Sequence, residues 1–142
     1  MKFATIHHVA IIVSDYEKSK DFYVNKLGFA VVRENFRIER NDWKLDLRVG
    51  EGADAIELEI FAEPNPPKRE NRPEACGLRH LAFRVDDVEA TVAELEQMGI
   101  GCEPIRLDSY TKKEDDLFSL IQMVCRWDCM NKKQHPHSQE DL

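Results

Sequence analysis

The stretch HLAFRVDD, residues 80–87, rewrites a pattern already laid down as HVAIIVSD at residues 8–15, with His, Ala, Val and the closing Asp each recurring 72 positions later. Each copy sets β-branched or aromatic residues in a short apolar run that stops at aspartate, which reads as a strand. After each aspartate the apolar spacing changes to three and four: Tyr16, Ser19, Phe22, Tyr23 and Leu27 follow Asp15, and Val88, Val92, Leu95 and Met98 follow Asp87. That is the period of an amphipathic helix. Asp15 and Asp87 are then the N-caps, and Gly28 and Gly99 the left-handed stops.

Past the first helix, FAVVRENFR (29–37), WKLDLRVG (43–50) and AIELEIFAE (55–63) alternate as strands, with turn residues between them. The first copy is therefore a β-α-β-β-β module over residues 1–64. EPNPPKRENRPE (63–74), rich in proline and charge, cannot be a regular element, so residues 65–76 read as a linker. The second module opens at residue 77 and continues through GCEPIRLDSY (101–110) as a strand. Two further alternating runs do not follow, so the second module is incomplete, with a paired domain over 1–111 and an aberrant tail over 112–142.

A chain of 142 residues with 42% hydrophobic and 33% charged residues is sized and composed as one packed soluble unit. No run is apolar enough for a membrane span, and the first residues lack a signal-peptide pattern, so the expected compartment is the cytoplasm. A formal charge of −7, with basic residues scattered, excludes nucleic acid and leaves a small molecule as the partner. Four dispersed cysteines without a secretory signal are expected as thiols.

Strand parity gathers candidate ligands. His8 shares a face with Ala10 and Ile12, and His80 shares one with Ala82 and Arg84. In AIELEIF, Glu57 and Glu59 take one face and Ile56, Leu58 and Ile60 the other. A lone strand histidine is usually structural, and identical placement in two diverged copies is what argues for a shared ion here. Two histidines and a carboxylate suit a divalent Zn, Ni, Mn, Co or Fe ion used as a Lewis acid. His7 has no counterpart, since position 79 is Arg, and is taken as structural or outward-facing. Arg37, Arg40, Trp43, Lys44 and Arg79 are candidate substrate contacts, and Glu57 is a candidate catalytic base.

The strings HHVAIIVSDYEKSKDFYVNKLGF, WKLDL, EIFAEPNPP and RPEACGLRHLAFRVDD resemble the vicinal oxygen chelate superfamily, in particular its small bacterial lactoylglutathione lyase-like (glyoxalase-like) members. The resemblance, over about residues 1–111, implies an α+β fold of two βαβββ modules forming a curved, cup-shaped mixed sheet with helices outside. It implies a divalent metal on His8, Glu59 and His80, isomerisation of a thiol–aldehyde hemithioacetal, and a homodimer. Extradiol-type dioxygenases, epimerases and non-catalytic antibiotic-binding or resistance modules share this architecture and are the alternatives.

The family's fourth ligand is a glutamate in a last-strand motif, Asp-Pro-Asp-Gly-Leu-Pro-Leu-Glu-Leu-Tyr-Glu, and that motif is absent. Its codons are not. Combining the last base of each codon for LIQMVCRWDCMN (120–131) with the first two of the next forces Gly at Met123–Val124 and at Trp127–Asp128. The same frame forces Leu at Asp128–Cys129 and Glu at Met130–Asn131. With permitted bases elsewhere it spells Asp-Pro-Asp-Gly-Leu-Pro-Leu-Gly-Leu-Tyr-Glu and a stop. Residues after roughly Thr111 are therefore expected to be a frameshifted reading of an ordinary terminus, with Gly even then where the ligand Glu would fall. The rival soft cluster Cys125, Cys129, His135 and His137 lacks a usual zinc spacing.

Overall fold

The computed structural model describes residues 1–70, 73–102 and 105, and the backbone of Ser119–Val124. The chain forms two compact units, Met1–Arg69 and Glu70–Leu142. The first contains β1 (His8–Val13), α1 (Tyr16–Lys20), a π-helical segment (Asp21–Lys26), β2 (Ala30–Arg37), β3 (Asp42–Val49), a 3-10 turn (Gly52–Asp54) and β4 (Ile56–Ala62). Its sheet runs β1-β4-β3-β2, with β4 parallel to β1 and the other neighbours antiparallel. Parallel neighbours need a long crossover, and here the helix and the β2–β3 hairpin supply it. The α+β class and the β-α-β-β-β module are as the sequence implies.

The helix signals act where the sequence puts them. Asp15, in extended backbone, accepts from the Lys18 amide at 3.1 Å, and Asp87 accepts from the Ala90 amide at 2.9 Å. Gly28 and Gly99 take φ of +75° and +77°, a region that Cβ-bearing residues enter at a cost. The first helix differs from expectation in one respect: after Lys20 it widens into π geometry, and the Leu27 amide reaches back five residues to the Phe22 carbonyl at 2.9 Å. The consecutive aromatics Phe22 and Tyr23 are both buried, and a wider turn brings neighbouring side chains nearer to a common face.

That face covers the apolar side of the sheet. Leu45, Leu47, Leu58 and Ile60 are almost fully enclosed, with Ile11 and Val13 beside them. Tyr16 stacks on Trp43 with ring centroids 4.8 Å apart. The Tyr16 hydroxyl donates to Glu34, which also accepts from Lys20 Nζ at 2.7 Å, tying the helix to β2. Burial, and then the bond to Glu34, push the Tyr16 phenol well above its usual value, while Lys20 and then Tyr16 hold the Glu34 carboxyl low.

A β-bulge governs the other side. Val31 pairs with Leu47 and Arg33 with Asp46, leaving Val32 unmatched. Had Val32 kept a regular place in the ladder, strict alternation onward from Val31 would put Arg33 on the apolar face.

In the second unit the described elements are β5 (His80–Val85), α2 (Val88–Gln97) and β6 (Ser119–Val124), with β6 antiparallel to β5. In the first unit the strand beside β1 is parallel. The repeat therefore holds through strand, cap and helix, and β6 is not the counterpart of β4. Of the expected strand at 101–110, residues 101, 102 and 105 are described and belong to no regular element; the others lie outside the described residues. The tail cluster of Cys125, Cys129, His135 and His137 also lies outside them. Cys76 and Cys102 are free thiols, and no described helix is long and apolar enough to cross a membrane.

Candidate metal centre

Register builds the polar face of the first unit. His8 pairs with Glu57 and Ala10 with Glu59 across β1–β4, and Asp46 pairs with Glu59 and Arg48 with Glu57 across β3–β4. Because Ala10 is small, nothing from β1 crowds Glu59. The His8 imidazole reaches over that space, with Nε2 3.9 Å from Glu59 Oε2. The other Glu59 oxygen, Oε1, accepts from Lys44 Nζ at 3.0 Å, so the carboxylate is divided between a cation and an imidazole.

Lys44 also sits 2.9 Å from Asp46 Oδ1 as an ion pair, while its hydrogen bond goes to Oδ2 at 3.2 Å. Oδ1 is the one buried side-chain oxygen among the described residues with no hydrogen-bond donor. Arg33, placed by the bulge, donates from Nε to Asp46 Oδ2 at 2.8 Å and from Nη2 to Glu57 Oε2 at 3.0 Å. Oxygens of Asp46, Glu57 and Glu59 thus lie within 4.8 Å of one another. Three carboxylates of this cluster face Lys44 and Arg33, and Arg48 stands in register beside Glu57. Burial alone would raise the Asp46 carboxyl, but hydrogen bonds and charge from Lys44 and Arg33 outweigh it and hold it low. Burial would likewise lower the Lys44 ammonium, and Asp46 and Glu59 together raise it instead.

The His8–Glu59 pair lies near the span of a divalent ion. Bonds of about 2.0–2.2 Å in tetrahedral geometry set ligand atoms about 3.4 Å apart; from the observed 3.9 Å the two groups would close by about half an ångström to share one ion. One imidazole and one carboxylate oxygen suit Zn, Ni, Co, Fe or Mn. His80, the third expected ligand, opens β5 in the second unit, half-buried and paired in register with Val124.

The expected substrate contacts divide. Arg37 grips Asp42 with two donors, Nε to Oδ1 at 2.7 Å, and lays its guanidinium 4.8 Å from the Phe61 ring centre. Lys44 lies 5.5 Å from the same ring, so both flank Phe61 on the polar face. Trp43 lies on the opposite face, between Tyr16 and Phe36. Arg40 is exposed in the β2–β3 turn, and Arg79 pairs with Glu74 at 2.8 Å in the second unit. Sequence reading missed Asp46 and Arg33. Alternation in WKLDLRV puts Asp46 beside Lys44 and would have found it, but Arg33 is legible only once the bulge is known.

Residues 5–115 match the family described as Glyoxalase/Bleomycin resistance protein/Dioxygenase superfamily. The uncharacterized protein YwkD of Bacillus subtilis (strain 168) is 54% identical over 118 residues, 83% of this chain and 90% of its own. The uncharacterized protein YaeR of Escherichia coli (strain K12) is 52% identical over 114 residues, 80% of this chain and 86% of its own. Among solved structures, the glyoxalase family protein from Enterococcus faecalis shares 53% identity and a TM-score of 0.71, covering 78% of this chain and 85% of that one. On this match and on its β-α-β-β-β module, the chain belongs to the glyoxalase/bleomycin resistance protein/dioxygenase superfamily.

Proposed function

We propose that the protein is a divalent-metal-dependent lyase of the glyoxalase I type, isomerising a thiol–aldehyde hemithioacetal. The observation that carries this is the approach of His8 Nε2 to Glu59 Oε2 at 3.9 Å on the polar face of the sheet, in a chain of this superfamily. His80 is proposed as the third ligand because the repeat sets it, position for position, where His8 stands in the first copy. A divalent ion held there would supply a Lewis acid for the two neighbouring oxygens of such a substrate.

The protein's own groups have distinct work. Lys44 fixes one Glu59 oxygen and so turns the other toward His8. Glu57 is the proposed base; Oε2 accepts from Arg33, so the substrate proton would arrive at Oε1. Arg37 and Lys44, both beside Phe61 on the polar face, are the proposed contacts for an anionic part of the substrate. The last-strand glutamate of the family falls where the sequence has none, and losing a general base lowers the rate by about 10² to 10⁴-fold. Slow turnover is therefore expected, and the cytoplasm and a homodimer complete the proposal.

Elemental analysis of purified wild type, His8→Ala, Glu59→Gln and His80→Ala tests it. Near-stoichiometric metal in wild type and depletion in all three variants is the expected result, together with exchange of solvent protons into the 2-hydroxy thioester formed from the hemithioacetal. Equal metal content in all four proteins would sink it.

A further inference from the structure

His7 is the neighbour of a proposed ligand, yet nothing in the repeat explains it, since position 79 is Arg. In the structure its Nδ1 lies 3.0 Å from His8 Nδ1, and the two rings meet edge to face at 89° with centroids 5.2 Å apart. Its backbone is anchored: the Glu57 amide donates to the His7 carbonyl at 3.0 Å, extending the β1–β4 ladder by one bond. The His7 ring therefore springs from a fixed point beside His8.

A neutral imidazole has one N–H and one lone pair, so two Nδ1 atoms at 3.0 Å bond to each other only when one of them carries a proton. If His8 holds the proton on Nδ1, its Nε2 presents a bare lone pair toward Glu59. If His7 donates instead, His8 must carry its proton on Nε2, facing a carboxylate oxygen 3.9 Å away, beyond hydrogen-bond reach. Ligation through Nε2 requires the first arrangement, and ligating histidines generally need an acceptor for their second N–H. His7 Nδ1, 3.0 Å away, stands where such an acceptor is needed.

We propose that His7 is a positioning residue that accepts the Nδ1–H of His8 and so keeps His8 Nε2 bare for a divalent cation. This rests on the metal-binding role of His8 proposed above, and its test is separable from that role. The first measurement needs no metal: nitrogen-15 NMR of the imidazoles in metal-free protein, at about pH 8.5 where ordinary imidazoles are neutral. Wild-type His8 is expected in the Nδ1–H tautomer, and His7→Phe is expected to release it toward Nε2–H. The second measurement is Zn²⁺ affinity by competition with a chromogenic chelator. His7→Phe should weaken binding by about 10 to 100-fold. His7→Asn, which restores an acceptor oxygen near the Nδ1 position, should recover most of that loss, a rescue that a purely structural role would not give. An Nε2–H tautomer at wild-type His8, or equal Zn²⁺ affinity in His7→Phe and wild type, overturns the proposal. Absence of Zn²⁺ binding by a wild type that does hold the Nδ1–H tautomer would remove the metal reading and leave the His7 contact standing.

Discussion

Asp42 opens β3 with its side chain enclosed and the Arg37 guanidinium across it, and that hydrogen-bonded pair holds its carboxyl below the usual carboxylate range. A lowered folded-state value means stability that is fully present above the ordinary value and lost as pH falls through the lowered one. Asp42→Asn is therefore expected to lower Tm at pH 7, with the gap to wild type closing as pH drops below about 4. Thermal melts across pH check this, and a gap of constant size at every pH would contradict it. At this scale the sequence spoke clearly wherever alternation was unbroken. His8, Glu57 and Glu59 stand on the face that parity assigned them, because β1 and β4 pair without interruption. Lys44 also stands there, but its partners Asp46 and Glu59 make it part of an internal charge network, a tie that residue type alone does not reveal. Trp43 read as a surface contact because tryptophan says nothing about side. Its stacking on Tyr16 depends on which way β3 faces.

At the scale of elements, aspartate caps and glycine stops fixed where both helices begin and end, since capping is a matter of a few neighbouring atoms. Asp87 satisfies an otherwise orphaned amide of α2, so Asp87→Ala is expected to destabilise by about 0.5–2 kcal/mol. Urea unfolding followed by circular dichroism measures it, and a midpoint unchanged from wild type would show that α2 does not depend on its cap. The π-helical stretch was not legible, because a spacing of three and four fits a regular turn equally well, and only packing against the sheet selects the wider one. The bulge was illegible for a related reason. Nothing in AVVREN marks Val32 as supernumerary until β3 is laid alongside and Val31 and Arg33 claim consecutive partners.

For the whole molecule, the repeat reads as two modules, and the chain divides into the units Met1–Arg69 and Glu70–Leu142; the expected incompleteness of the second module falls largely outside the described residues. What lies beyond roughly Thr111 was expected to come from another reading frame, and the coding DNA decides it: codons 120–132 should spell Asp-Pro-Asp-Gly-Leu-Pro-Leu-Gly-Leu-Tyr-Glu and a stop when read one base earlier. Codons unable to do so would make the tail a native segment. The first unit also exposes β2 at the rim of its sheet, with Val31, Val32 and Phe36 all partly open to solvent. A straight, apolar rim is a template on which another chain can add a strand, and a kinked one is not. Deleting Val32 would leave Val31 opposite Leu47 and Arg33 opposite Asp46 in an uninterrupted ladder, with every side chain still on its own face. The expected variant is folded, with a circular-dichroism spectrum unchanged from wild type, yet it scatters more light as concentration rises. One surplus valine would then be acting as a guard against self-association, and a deletion variant as monodisperse as its parent would deny it that office.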